Sequence, residues 1–103
     1  MSNVDLVRRF LRGQNLEQLG RIDEAIDLYE RAVAEAFDAA GPYDRLIALY
    51  SHRALHDEVV RVAEAAIRNV HTYEDKLGWY EVMRAQAIEA RRMVPPAAPR
   101  SGE

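Results

Sequence analysis

The 103-residue sequence has no cysteine, which excludes disulfides and thiolate metal sites. Lysine is almost missing as well: Lys76 stands alone among basic residues that are otherwise arginine. With the abundant alanine, that bias points to a GC-rich bacterial genome and says nothing about mechanism. No apolar run approaches the roughly 18 residues needed to span a bilayer. Met1-Ser2-Asn3-Val4-Asp5 shows no charged-then-apolar signal pattern, so the expected compartment is the cytoplasm. There is no Gly-rich phosphate loop with lysine, no G-x-S-x-G, and no Ser/His/acid trio in a suggestive context. An enzyme is therefore not expected, and no cofactor is implied. The formal net charge of −3 gives no general attraction to nucleic acid or anionic membrane.

The length sets one domain at most. A chain this small buries only roughly 60–65% of its unfolded surface, so a large enclosed active site is hard to build. Apolar residues at 49% and charged residues at 30% argue against wholesale disorder.

What is present is helical spacing, nearly everywhere before Pro95. Ile22, Ala25, Ile26, Tyr29, Ala32, Val33 and Ala36 recur in steps of three and four, placing one apolar stripe on one helix face. Val59, Val60, Val62, Ala63, Ala66 and Ile67 form a second such stripe. Asp27/Arg31, Asp57/Arg61 and Glu64/Arg68 are acid-first pairs four apart, the favourable order on a solvated face. A shorter apolar segment precedes each stripe: Leu6, Phe10, Leu11, Leu16 and Leu19 before the first, then Leu46, Ile47, Leu49 and Tyr50 before the second.

The breaks are also readable. Gly20 ends the first segment, where a positive φ is useful. Gly41-Pro42 ends the second helix and opens the third, with Pro42 suited to a first turn. Thr72 with Asp75 resembles a capping box. A fifth helix is expected from about Tyr73 to about Met93, stopped by Pro95-Pro96. The Pro/Ala/Gly/Ser-rich tail over 95–103 is expected to be disordered.

Two stretches of the chain match each other. Asp23, Glu24, Glu30 and Ala32 recur 34 residues on as Asp57, Glu58, Glu64 and Ala66. Ile26/Val60, Leu28/Val62, Val33/Ile67 and Gly20/Ala54 are conservative pairs at the same offset. A period of 34 is that of a helix–turn–helix repeat, and the sequence resembles the tetratricopeptide repeat family. The first copy carries Gly13, Gly20, Asp23-Glu24-Ala25-Ile26, Tyr29 and Ala32. The second carries Tyr43, Leu46, Tyr50, Ala54, Asp57-Glu58-Val59-Val60, Ala63 and Ala66. Small residues at Gly13, Ala25, Ala32 and Ala66 let helices cross closely, and Tyr29 is expected to fill the gap between one hairpin and the next. The acids opening each second helix suit the positive end of its dipole.

The resemblance implies an all-α fold, a right-handed stack of antiparallel helical hairpins: two hairpins plus a long C-terminal capping helix. Repeats would cover about 6–39 and 40–73, with the capping helix at about 73–93, inside one domain over 1–94. The chain departs from the family pattern at Arg9 and Arg12, which stand where an aromatic and a leucine are usual. Either the first helix is rotated so that Phe10 and Leu11 pack instead, or the arginine stems lie along the core edge. The third unit has no second helix.

In the resembled family the first helices line a groove for an extended peptide or a helix. Transferred here, that groove comprises Val7, Phe10, Gln14 and Glu17, then Asp44, Arg45, Ala48 and His52, then Trp79, Val82 and Gln86. The tail-gripping members of the family hold a carboxylate with lysine, asparagine and arginine. Here those positions hold Phe10, Gln14, Arg45, Asp75 and Trp79, so no carboxylate clamp is expected. The resemblance implies a protein-interaction scaffold or adaptor binding a protein or peptide. The alternative is a structural protein that self-associates through the fifth helix, which carries apolar residues over more than one face.

Other constellations have plainer readings. Trp79 is the sole tryptophan, read as core or cap packing before a binding hot spot. His52 and His56 are four apart but flank an inter-helix turn, which argues against a metal site. His71 falls in the linker before the fifth helix. Arg8, Arg9 and Arg12, and Arg84, Arg91 and Arg92, are interleaved with acids and read as solvated faces rather than phosphate contacts.

Overall fold

A computed structural model of the chain describes residues 3–71 and 74–93. The regular structure of these residues is entirely helical: α1 (Asn3–Gln18), α2 (Ile22–Ala34), α3 (Gly41–His52), α4 (His56–Asn69) and α5 (Glu74–Met93). Each helix packs on the next in chain order, and α5 lies most extensively along α4. Thr72 of the expected capping box and the 95–103 tail lie outside the described residues.

The turns explain the packing order. At the end of α1, Gly20 takes φ +81°. The Arg21 N–H then bonds the Leu16 carbonyl at 2.8 Å, and the Gly20 N–H bonds that of Glu17 at 2.9 Å. This left-handed cap satisfies two carbonyls left open at the helix end and reverses the chain. The same cap closes α3: Ala54 takes φ +58°, Leu55 bonds Tyr50 at 2.9 Å and Ala54 bonds Ser51 at 3.0 Å. Every group in the second turn stands 34 residues after its counterpart in the first. Two hairpins, α1–α2 and α3–α4, thus share one turn geometry.

The two hairpins leave their second helices differently. After α2 the chain turns left-handed again, at Ala36 with φ +56°. Helix α2 therefore stops at Ala34 and does not run on to Gly41, and Ala36 falls off the expected stripe. The turn brings Phe37 back so that its N–H bonds the Ala32 carbonyl at 3.1 Å. The Phe37 ring buries with Leu6 and Ala32 in a small cluster of its own. After α4 the corresponding residue, Val70, is extended (φ −86°, ψ 114°).

The main core is built from the predicted apolar positions. Tyr29, Tyr43, Leu46, Ile47, Val62, Ala63 and Ala66 are fully buried between α1 and α4, and Tyr80 and Ala87 bring in α5. Burying a side chain such as Leu46 or Ile47 stabilises by about 1.5–3 kcal/mol each. No buried side-chain polar atom among the described residues lacks a partner. Neither α2 nor α4 has a side-chain N-cap, and acids fill their first turns instead.

Several local expectations are corrected. Leu11 and Leu19 do not pack: they are 52% and 70% exposed. Phe10 does, with its ring 5.8 Å from that of Tyr29. Helix α1 is thus turned so that Phe10 faces inward while Leu11 faces out. Arg9 lies half-buried along the edge and reaches Glu35 at 3.0 Å. The i,i+4 pairs do not form as expected. Arg61 bonds Glu58 and reaches across to Glu30 of α2, while Asp57 pairs with Arg91 of α5. For Asp57 and Arg61 the arginine fork spans neighbouring helices as readily as one helix turn. Asp27–Arg31 and Glu64–Arg68 form no ion pair among the described residues.

Candidate functional site

The eleven groove positions fall on α1, α3 and α5, and their charged members are mostly engaged with one another. Glu17 of α1 accepts two bonds from the Arg45 guanidinium of α3, at 3.0 and 2.7 Å. The Tyr29 hydroxyl of α2 donates to the same carboxylate. The Arg45 hydrogen bonds hold the Glu17 carboxyl below its ordinary range, against the opposing effect of partial burial. Burial first, and then the bond to Glu17, pushes the Tyr29 phenol well above its ordinary value.

The same unit recurs between α3 and α5. Asp44 accepts the Tyr80 hydroxyl at 2.8 Å and pairs with Lys76 at 3.0 Å. Lys76 also sits 4.4 Å from the centre of the Trp79 ring, a cation–π distance. A third unit joins α2, α3 and α4: Tyr50 donates to Glu30, which Arg61 also binds. Each junction thus buries one tyrosine whose hydroxyl meets a carboxylate, and each carboxylate is balanced by a cation. Burial is the first cause of the raised phenol in Tyr50 and Tyr80 too, with the carboxylate bond second.

What the groove positions leave open includes no Asp, Glu, Lys or Arg. Val7 is 44% exposed, Val82 50% and Trp79 37%. Ala48, His52 and Gln86 are exposed, and Gln14 is half-buried. Trp79 is not core: it stands at the edge of α5, packed edge-on against Tyr80 at 5.4 Å. Phe10 is partly buried, packed against the main core. A Cβ on Gly41 would stand 2.6 Å from its ring, so Phe10 closes the α1–α3 approach. The Tyr29 ring lies over Gly13 of α1, and its hydroxyl meets the same Glu17 carboxylate that Arg45 of α3 grips.

Sequence reasoning missed an open recess of about 220 Å³ lined by Ser51, His56, Val59, Met83, Gln86, Ala87 and Ala90. Of these only Gln86 is a groove position. The others come from three helices whose juxtaposition no spacing announces. His56 lies at the start of α4 and His52 at the end of α3, with the turn between them. No cluster of three His, Cys, Asp or Glu suited to a metal occurs among the described residues. No described helix is long and apolar enough to cross a membrane.

No family model, curated protein or solved structure matches this chain.

Proposed function

We propose that the chain is a protein-interaction module of the tetratricopeptide type, an adaptor that binds a peptide or protein segment across α1, α3 and α5. The observation that carries this reading is the division of labour among the groove positions. Their ion pairs, Glu17–Arg45 and Asp44–Lys76, tie the helices together. Among the remaining positions, Ala48, Val82, Trp79 and Gln86 form an exposed strip without acid, lysine or arginine. Such a strip suits an apolar or neutral segment better than an acidic tail, because Arg45 is already committed to Glu17. The recess beside Gln86 has room for one apolar side chain. The equal turns 34 residues apart support the repeat reading on which the groove rests.

The test is selection of binders from a random peptide library on the immobilised chain, followed by affinity measurement through Trp79 fluorescence. A bound segment is expected to change Trp79 emission. Ala48→Glu and Val82→Glu are expected to weaken binding at least about tenfold, while Asp27→Ala on α2 leaves it unchanged. Selection of no binder, or of binders indifferent to Ala48→Glu and Val82→Glu, would overturn the proposal.

A further inference from the structure

Helices α2, α3 and α4 are each packed by a chain neighbour on two sides, whereas α1 and α5 have only one such neighbour each. The free side of α1 is apolar and basic. Val4, Val7 and Leu11 are 60%, 44% and 52% exposed at helical spacing, with exposed Arg8 and Arg12 between them. Neither arginine forms an ion pair among the described residues. Asp5, the nearby acid, is already engaged within the chain.

The free side of α5 has the opposite character. Leu77 and Val82 are 45% and 50% exposed, beside exposed Gly78, Ala85, Glu81 and Glu89. A Cβ placed on Gly78 would meet nothing within 4 Å. Glu81 forms no ion pair among the described residues, and Glu89 has one loose pairing with Arg92 at 3.6 Å.

The two faces also share a spacing. Val4, Arg8, Leu11 and Asn15 advance by four, three and four residues, and so do Gly78, Val82, Ala85 and Glu89. That rhythm makes a straight seam on each helix, over about 16 Å of rise. Val4, Leu11 and Arg8 stand on one seam with Arg12 beside it; Gly78, Ala85, Val82 and Glu89 stand on the other with Glu81 beside it.

We infer that the outer face of α5 docks on the outer face of α1 in a second copy of this chain, head to tail. The contact joins two different surfaces, so each added copy leaves a fresh α1 and a fresh α5 free, and assembly runs past the dimer. One helix seam buries far less than a standard interface, so the association is weak, with Kd on the order of 100 µM. The exposed charges make it salt-sensitive. The surface is distinct from the groove, which it meets only at Val7 and Val82.

The test is sedimentation velocity of the full chain from about 10 µM to about 1 mM, at low and high salt. The average sedimentation coefficient is expected to rise with concentration beyond the dimer value at low salt, and to fall back in high salt. R8E/R12E places acid on both end faces, and E81R/E89R places base on both. Each variant alone is expected to be monomeric, and an equimolar mixture to recover association. All four positions are exposed, and circular dichroism checks that folding is intact. R8Q/R12Q gives the same loss should the reversed charges disturb α1. A wild-type chain that stays monomeric, one that stops at a dimer, or association indifferent to the swaps would overturn the inference.

Discussion

The Tyr29 hydroxyl donates to the Glu17 carboxylate across the first hairpin, and Arg45 of the next hairpin grips the same group. One carboxylate therefore fixes both the pairing of α1 with α2 and the placing of α3. Tyr29→Phe is expected to cost about 0.5–1.5 kcal/mol, because it removes one donor and leaves Glu17 still bonded to Arg45. Arg45→Met is expected to cost more, since it strips the cation from a half-buried carboxylate. Urea denaturation of the two variants checks the order.

Acid should expose the same unit. Glu17 has a lowered pKa when folded, so the stability it adds is present above the unfolded value of about 4.5 and is lost as pH falls through the folded value. Arg45→Met is expected to flatten this part of the acid limb, read as unfolding free energy against pH below about 5.

Alkali acts in the opposite sense. Tyr29, Tyr50 and Tyr80 all have raised pKa values, so their contribution is intact below the unfolded value of about 10 and is lost as pH rises through the folded values. Tyrosinate absorbance from these three rings is expected to appear together with loss of helical circular dichroism. Tyrosinate absorbance at full strength while the helices remain would contradict the buried tyrosine–carboxylate pairing.

Two glycines make a controlled pair. At Gly13 a Cβ would stand 2.6 Å from the Tyr29 ring, which is fully buried and has no room to retreat. Gly13→Ala is therefore expected to destabilise by about 1–2 kcal/mol despite the better helix propensity of alanine. At Gly78 the space is open, and Gly78→Ala is expected to stabilise by about 0.5–1 kcal/mol. Thermal melts of both variants distinguish the signs.

The paired turns make another. Gly20 and Ala54 hold the same left-handed position in equivalent caps. Gly20→Ala is expected to cost about 1 kcal/mol, and Ala54→Gly to return a similar amount, because only alanine carries the steric penalty at positive φ. Equal effects of the same sign in chemical denaturation would contradict the equivalence of the two turns.

Helix content and the buried stripes were readable because Ile26, Tyr29, Val59 and Val62 recur with a helix's own period. Gly20 announced its turn, since glycine is the residue that favours positive φ. Ala36 and Ala54 did not, because alanine ordinarily prolongs a helix. The end of α2 was therefore misplaced toward Gly41. The side of α1 that faces inward was legible only by choosing between adjacent residues, and Phe10 packs while Leu11 does not. The candidate groove followed from the resemblance to the tetratricopeptide repeat family, transferred onto three helices. Its internal ion pairs did not, since Glu17–Arg45 and Asp44–Lys76 join residues whose separation carries no periodic signal. The recess at Ser51, Met83 and Gln86 depends on how α5 lies along α4, which local pattern does not determine.

The small cluster of Leu6, Ala32 and Phe37 holds the first turns of α1 apart from the main core. Helix α1 is thereby anchored at two unequal points, a three-residue clasp near its start and Leu16 with Tyr29 farther on. The outer stretch can open while the inner one stays shut, as a local unfolding step well below the global one. Amide hydrogens around Val7 would then exchange sooner than those around Leu16. A binding surface carried on that stretch would come and go with the clasp.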